Sequence, residues 1–274
     1  MSGDTTLVLY LADLHAGSPV ALYPDEVMSL LNGPRGPSAL QAEIYKHWRE
    51  TLEYVALAKQ EQNARLVVVI AGDLIEGVHH NSQEIISPYL TDHQKIAETL
   101  IREAKKITSY DTIYFLDGTP SHAGENEYNL SEVLQGERYA PGKFTWPILK
   151  KRVYNNLVYV AHQGPSAGRG LNTGNPLRNK IKASCYEFLT NNEPLPDYMI
   201  FAHYHVHQHE RVEIGNKTID GYLLPSWKLI DNYVSRINPF AFSNIGAMLM
   251  TCKPGKVDCE FLTIHVQQDK IGSL

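Results

Sequence analysis

Long apolar runs are missing from this chain. None approaches the roughly 18 residues that a membrane-spanning helix needs, so no membrane partner is expected. Cysteine is sparse too: Cys185, Cys252 and Cys259 share no C-x-x-C spacing, and an odd, small count does not make a disulfide framework. The three read as core fillers in a reducing compartment. The start, Met1-Ser2-Gly3-Asp4, has neither the basic residues nor the apolar stretch of a signal peptide, and a cytoplasmic location is the expectation. No long Lys/Arg run interrupts the net charge of −5, whereas a general nucleic-acid binder usually carries a basic stripe. Lys143, Lys150, Lys151 and Arg152 form one modest basic cluster and Arg178, Lys180 and Lys182 another; both read as solvated faces. Local basic loops can coexist with an acidic total, so a nucleic-acid substrate stays open.

What is present is an ordinary globular composition, 43% apolar and 20% charged over 274 residues, enough to bury a substantial core. Histidine is the unusual residue. Half of the twelve lie in or beside four short segments: Asp13-Leu14-His15, Gly72-Asp73, His162-Gln163-Gly164 and His203-Tyr204-His205. Each follows an apolar, β-forming run, namely Leu7 to Leu11, Val67 to Ala71, Leu157 to Ala161 and Tyr198 to Ala202. Strand ends are where an α/β protein gathers residues from distant parts of the chain, and the layout points to a two-metal hydrolytic centre.

The periodicity organises the rest. A strand over Thr6 to Ala12 is followed, after the turn-rich Asn32-Gly33-Pro34-Arg35-Gly36-Pro37, by a long helix from about Ser38 to Asn63. Leu40, Ile44, Trp48, Leu52 and Val55 make its apolar face, and Ser38 is its N-cap. A buried strand (Leu66 to Ala71), a helix (about Asp92 to Thr108) and a third strand (Thr112 to Leu116) complete a β-α-β-α-β alternation, and a short helix near Leu130 to Gln135 follows. The Gly-, Asn- and Ser-rich stretch from Gly164 to Pro176 reads as a long functional loop. The last third reads as antiparallel β, with turns at Gly215-Asn216 and Pro254-Gly255. No linker or repeat is evident, so 1–274 is expected to be a single domain.

Taken one at a time, the strand-end segments have plain readings. Asp13 and His15 can be a turn cap and a surface residue, and Asp73 can cap the next segment. His162 alone can be a satisfied polar group. As ligands, a mixed carboxylate and imidazole set suits Mn, Fe or Zn better than Mg or Ca. The run His203, His205, His207, His209 cannot serve one ion on a strand, because alternate residues rise about 6.6 Å per pair. Two of its members can serve neighbouring ions ~3.5–4 Å apart, leaving His207 and His209 as exposed or hydrogen-bonding residues.

The order of the blocks resembles the calcineurin-like metallophosphoesterase superfamily: D-x-H, G-D, a Gly-started loop with His122, a lone His, then H-x-H, from about Leu7 to His205. The stretch Gly118-Thr119-Pro120-Ser121-His122-Ala123-Gly124, with Ser131-Glu132, resembles a variant associated with phage-encoded members. The resemblance implies an α/β (α+β) fold of four layers, αββα, with two mixed β-sheets packed face to face and flanked by helices. It implies two divalent transition metal ions, Mn in first place with Fe or Zn as alternatives. One would be held by Asp13, His15 and His205 and the other by His162 and His203, with Asp73 bridging, while His122 would lie beside the scissile phosphate. The family's third block usually reads Gly-Asn-His; here Thr119, Ser121 or water would have to replace the Asn, or His122 itself become a ligand.

The implied activity is metal-dependent phosphoester hydrolysis, as a phosphodiesterase or nuclease whose bound water has its pKa lowered toward ~7. Nucleic acid, a nucleotide or another phosphoester would be the partner. A phosphomonoesterase acting on nucleotides and a binding scaffold of the same fold, with weak or no catalysis, are the alternatives. An amidohydrolase barrel would open with H-x-H and continue in βα repeats, which this chain does not. His79-His80, Arg169, Glu125, Asn126, Trp227 and Tyr233 are further candidates for substrate contact or the pocket wall.

Overall fold

Five consecutive apolar residues, Leu7 to Leu11, form most of strand β1 (Thr6–Leu11), and all are buried. Side chains alternate along a strand, so Leu7, Leu9 and Leu11 pack into one core while Val8 and Tyr10 pack into another. A strand covered on both faces belongs to the middle of a layered structure. The computed structural model describes residues 4–27, 30–78, 84–120, 122, 125–237 and 242–266.

The elements that follow are α1 (Ala39–Glu61), β2 (Arg65–Ile70), α2 (Leu90–Thr108), β3 (Thr112–Leu116), α3 (Glu125–Val133), β4 (Thr145–Trp146), β5 (Leu149–Val153), β6 (Asn156–Gln163), α4 (Asn175–Thr190), β7 (Tyr198–Ala202), β8 (Gln208–Ile214), β9 (Lys217–Leu223), α5 (Asn232–Ile237), β10 (Ile245–Lys253) and β11 (Lys256–Ile264). Sheet one has the order β11-β10-β1-β2-β3-β4, and sheet two β5-β6-β7-β9-β8. Both are mixed: β1, β2, β3 and β4 run parallel, as do β6, β7 and β9, with antiparallel strands at the flanks.

Three cores glue four layers together. Ile44, Trp48, Leu52 and Val55 of α1 and Ile96, Leu100 and Ile101 of α2 cover the outer face of sheet one. Val8, Val69, Val160, Ile200 and Met250 fill the space between the sheets. Leu177, Ile181 and Cys185 of α4 cover sheet two. This is the helix-sheet-sheet-helix stack that the resemblance implied.

Local signals placed most boundaries well. Ser38 caps α1 in a capping box: its hydroxyl accepts from the Gln41 amide at 3.2 Å, and the Gln41 side chain accepts from the Ser38 amide at 3.1 Å. Gly215, at φ 58°, and Gly255, at φ 76°, make the two hairpin turns. Three expectations need correction. The last third is not simply antiparallel, because β7 lies parallel to both neighbours, β6 and β9. Helix α4 also begins within the stretch read as a loop; Pro176 occupies its first turn, where a missing N–H is harmless. Its buried Leu177, Ile181 and Cys185 follow at four-residue steps. Helix α3 starts earlier than the sequence suggests, at Glu125.

Candidate metal centre

The loops after β1 and β2 are zipped together by backbone bonds: Asp13 N–H to Gly72 carbonyl at 3.2 Å, His15 N–H to Asp73 carbonyl at 3.0 Å, and Ala16 N–H to Leu74 carbonyl at 3.0 Å. Asp13 also accepts from the His203 amide through Oδ2 at 3.1 Å, which ties sheet two to sheet one. Five of the six strand-end residues have left-handed backbones, with φ of 52° at Asp13, 46° at His15, 49° at Asp73, 79° at His203 and 58° at His205. Side chains other than glycine's pay roughly 1–2 kcal/mol for that conformation, and such strain persists only where surrounding structure over-determines it. The sixth, His162, lies at a register shift between Ala161 and Gln163; bulges of this kind re-aim side chains beside functional sites.

Two glycines make room. Gly72 has φ 87°, and a Cβ there would stand 2.6 Å from His162 Nδ1. A Cβ on Gly118 would meet the Asp73 amide nitrogen at 2.4 Å.

The six side chains converge from both sheets. In one set, Asp13, His15 and His205 offer ligand atoms within 4.8 Å of one another; in a second, Asp73, His162 and His203 do the same. Asp73 Oδ2 faces both sets, 3.2 Å from His162 Nε2 and 4.0 Å from His15 Nε2. His205 Nε2 is 3.5 Å from Asp13 Oδ1. His162 donates from Nδ1 to the Ala71 carbonyl at 2.7 Å, leaving Nε2 to face the second set.

Thr119 lies beside the second set. Its amide donates to Asp73 Oδ1 at 2.6 Å and its hydroxyl to Asp73 Oδ2 at 3.1 Å; the same hydroxyl oxygen is 3.1 Å from His162 Nε2 and 3.3 Å from His203 Nδ1. Ser121 lies outside the described residues.

The donor set fits divalent cations. Asp13 Oδ1 and His15 Nε2 are buried without a hydrogen-bond partner among the described residues, an expensive state unless a cation completes them. The local charge agrees, because Asp13, Asp73 and Glu76 are all buried while Lys228 is the sole buried Lys or Arg among the described residues.

No family model and no curated protein matches this chain. Solved structures of similar architecture include zinc-complexed Vps29 of Entamoeba histolytica, at 12% identity and a TM-score of 0.42 over 94% of this chain and 99% of that one. A phosphatase of Mycoplasma pneumoniae is 10% identical, at 0.42 over 95% and 94%. A predicted phosphoesterase of Streptococcus pneumoniae is 10% identical, at 0.38 over 94% and 90%.

His122, half-buried, donates from Nδ1 to the Glu76 carbonyl at 3.0 Å, and its ring lies edge-on to His15 with centroids 4.8 Å apart. Glu76, His15 and His122 form a third group of ligand atoms within 4.8 Å. Behind His15 lies a buried ionic chain. His15 Nδ1 is 2.9 Å from Glu76 Oε2, Lys228 Nζ is 3.0 and 3.1 Å from the two Glu76 oxygens, and Asp231 is 2.9 Å from Lys228. Burial, reinforced by the Lys228 charge, pushes the His15 pKa down to about 4, so the ring is neutral and can ligate. Burial works against charge on His162 as well, but the Asp73 and Asp13 carboxylates lift its pKa to about 10; ligation there requires loss of that proton. Glu127 accepts from the Leu74 and Gly118 amides, and burial together with the Asp73 charge raises its pKa to about 8.

Glu76, Lys228 and Glu127 escaped sequence reasoning. Glu76 stands three residues after Asp73 and was within reach of a reading of that loop; Lys228 and Glu127 have no local signal, since their partners are distant in the chain. Of the other candidates, Trp227 is core, fully buried and edge-on to Trp48 with centroids 5.0 Å apart. Arg169 is exposed ahead of a short 3-10 turn. His207 and His209 stack on Phe261 and Tyr222, and His209 bonds Asp220 at 2.7 Å. His79-His80 and the side chains of Glu125, Asn126 and Tyr233 lie outside what is described.

Proposed function

We propose that this chain hydrolyses phosphoesters with the help of two divalent cations, and that its substrates are phosphodiesters, nucleic acid foremost. The observation that carries the proposal is the single carboxylate oxygen, Asp73 Oδ2, facing two ligand triads at once. In this reading Asp13, His15 and His205 would hold one ion, His162 and His203 the other, and Asp73 would bridge them, with Mn the first choice and Fe or Zn the alternatives. Thr119 would complete the second set through its hydroxyl.

Divalent cations, when bound, offset charge developing on the phosphoryl oxygens and make water acidic enough to attack at neutral pH. The protein's own share is positional. Left-handed backbones and the zipped loops hold the carboxylates rigidly, and the bond from His122 Nδ1 to the Glu76 carbonyl fixes the ring, so that Nε2 is the atom that would exchange a proton with the leaving oxygen, giving one when the ring is doubly protonated. No serine or cysteine nucleophile is required.

A second reading, a binding scaffold with weak catalysis, draws on the Thr119 hydroxyl standing where the family resemblance leads one to expect an amide carbonyl. Hydrolysis of bis(p-nitrophenyl) phosphate with Mn separates the two. Turnover that falls more than about tenfold in Asp73→Asn and in His122→Ala supports the enzyme. Absence of turnover in the wild type, or smaller losses in both variants, overturns the assigned roles.

A further inference from the structure

The stretch from Arg138 to Tyr186 contains no aspartate or glutamate in 49 residues, yet it carries nine lysines and arginines. Its formal charge is therefore 9 − 0 = +9, and the remaining 225 residues carry −5 − 9 = −14. Three of the nine pair with acids from elsewhere in the chain, Lys143 with Asp117, Lys150 with Glu193 and Arg178 with Glu210; the excess that is left suits a polyanion.

The first part of this stretch is also aromatic, and the fold places it at the rim. It supplies β4 and β5, the strands at one edge of each sheet, so it crosses from sheet one to sheet two on the outside of the stack. Cations and rings alternate along it. Lys143 lies 5.5 Å from the ring centroids of Tyr128 and Tyr139, and Lys151 lies 4.5 Å from Trp146 and 5.4 Å from Tyr114. Tyr139 and Tyr154 are 47% and 39% exposed; Lys143 stands over the Tyr139 ring and Trp146 packs edge-on to it at 5.1 Å, which holds that ring in place at the rim. Lys151 and Arg152 are exposed and have no carboxylate within 4.0 Å among the described residues.

The rim is continuous with the candidate metal centre. The Asp117 amide donates to the Trp146 carbonyl at 2.9 Å, and Lys143 pairs with Asp117 at 3.2 Å; Thr119 is two residues further on. From there β5 leads away for roughly 17 Å at ~3.3 Å per residue. Beyond the strand, the same acid-free stretch contains His162 and, in the loop after it, Arg169.

We infer that this edge is a track for single-stranded nucleic acid, its phosphates on Lys151 and Arg152 and its bases on the exposed rings of Tyr139 and Tyr154. Alternating cations and exposed rings suit a strand whose bases are unpaired, because every base has a face to stack and every nucleotide a charge. A duplex hides its base faces, an anionic membrane presents no aromatic rings for the tyrosines, and an acidic peptide does not pair a ring with every charge. The inference deepens the reading above and rests on it for the placement of the scissile phosphate.

The test is fluorescence anisotropy of a labelled 20-nucleotide single strand, in EDTA so that nothing is cleaved. Lys151→Glu/Arg152→Glu should weaken binding at least about tenfold and flatten the salt dependence by about 1.4, at ~0.7 per phosphate contact. Lys253→Glu/Lys256→Glu makes the same charge change at the opposite edge of sheet one and should alter binding less than about twofold. Tyr139→Ala/Tyr154→Ala should weaken the single strand but not inorganic polyphosphate. Equal losses in both charge variants, or binding of polyphosphate, anionic vesicles or duplex as tight as the single strand, would overturn the track. A wild type that cleaves bis(p-nitrophenyl) phosphate but binds no strand overturns only the track; one that binds strand but cleaves nothing overturns only the hydrolytic reading.

Discussion

Lys228→Met is the perturbation that most sharply probes the scaffolding behind the candidate centre. Lys228 is 4% exposed and Glu76 3%, and the ammonium lies 3.0 and 3.1 Å from the two Glu76 oxygens. Burial disfavours its charge, but Glu76 and Asp231 outweigh that and raise its pKa, so the pair is ionic. Methionine keeps most of the volume and removes the charge, leaving the buried Glu76 carboxylate without its ammonium; losing one partner of a buried pair costs about 3–5 kcal/mol. For a chain of this size, at about 2–4 °C per kcal/mol, the melting temperature should fall by about 6–20 °C. Glu76→Gln in the same background removes that carboxylate charge. The double variant should therefore recover about 2 kcal/mol relative to the sum of the singles, within the range for directly coupled residues. Thermal and urea unfolding of the four proteins in EDTA closes the cycle. Additivity within about 0.5 kcal/mol would refute the coupling. Glu76→Gln alone should also weaken Mn binding about 10–100-fold, because it loosens the group that orients His15.

Gly72→Ala places a methyl 2.6 Å from His162 Nδ1 at a φ of 87°; the backbone alone should cost about 1–2 kcal/mol, and the His162 ring resonances should shift in NMR spectra, so an unchanged melting curve and unchanged shifts would count against the packing described. Glu127 has a folded-state pKa of about 8 against an ordinary 4.5, so the folded form holds this proton more tightly than the unfolded chain does. The stability it contributes is full below about 4.5 and drains away as pH rises toward 8. In EDTA, unfolding free energies measured at pH 5, 6.5 and 8 should fall less steeply for Glu127→Gln than for the wild type, and parallel profiles would contradict the assignment.

Much of this was visible in the residues alone, for identifiable reasons. Strands β1 and β2 are buried on both faces, so they read as uninterrupted apolar runs, and the polar residue ending each run stood out. Ser38 with Gln41 announced a helix start because capping chemistry is local. Helix α4 was obscured because Gly168, Gly170 and Gly174 precede it, and glycine signals a loop whether or not a helix follows. The parallel placement of β7 depends on which strands it meets, and hairpin-like turns downstream gave the opposite impression. The six side chains that the fold brings together, Asp13, His15, Asp73, His162, His203 and His205, stood out by their order along the chain. Lys228 and Glu127 were not, because their importance comes from partners 152 and 53 residues away.

The central claim is that two triads of ligands share Asp73, and counting bound metal tests it most directly. Equilibrium dialysis of the purified chain against Mn, read by elemental analysis, should give two ions per chain. His203→Ala should leave one, His205→Ala should leave one, and Asp73→Asn should weaken both. A wild type that binds no ion, or two single variants that each retain two, would contradict the account.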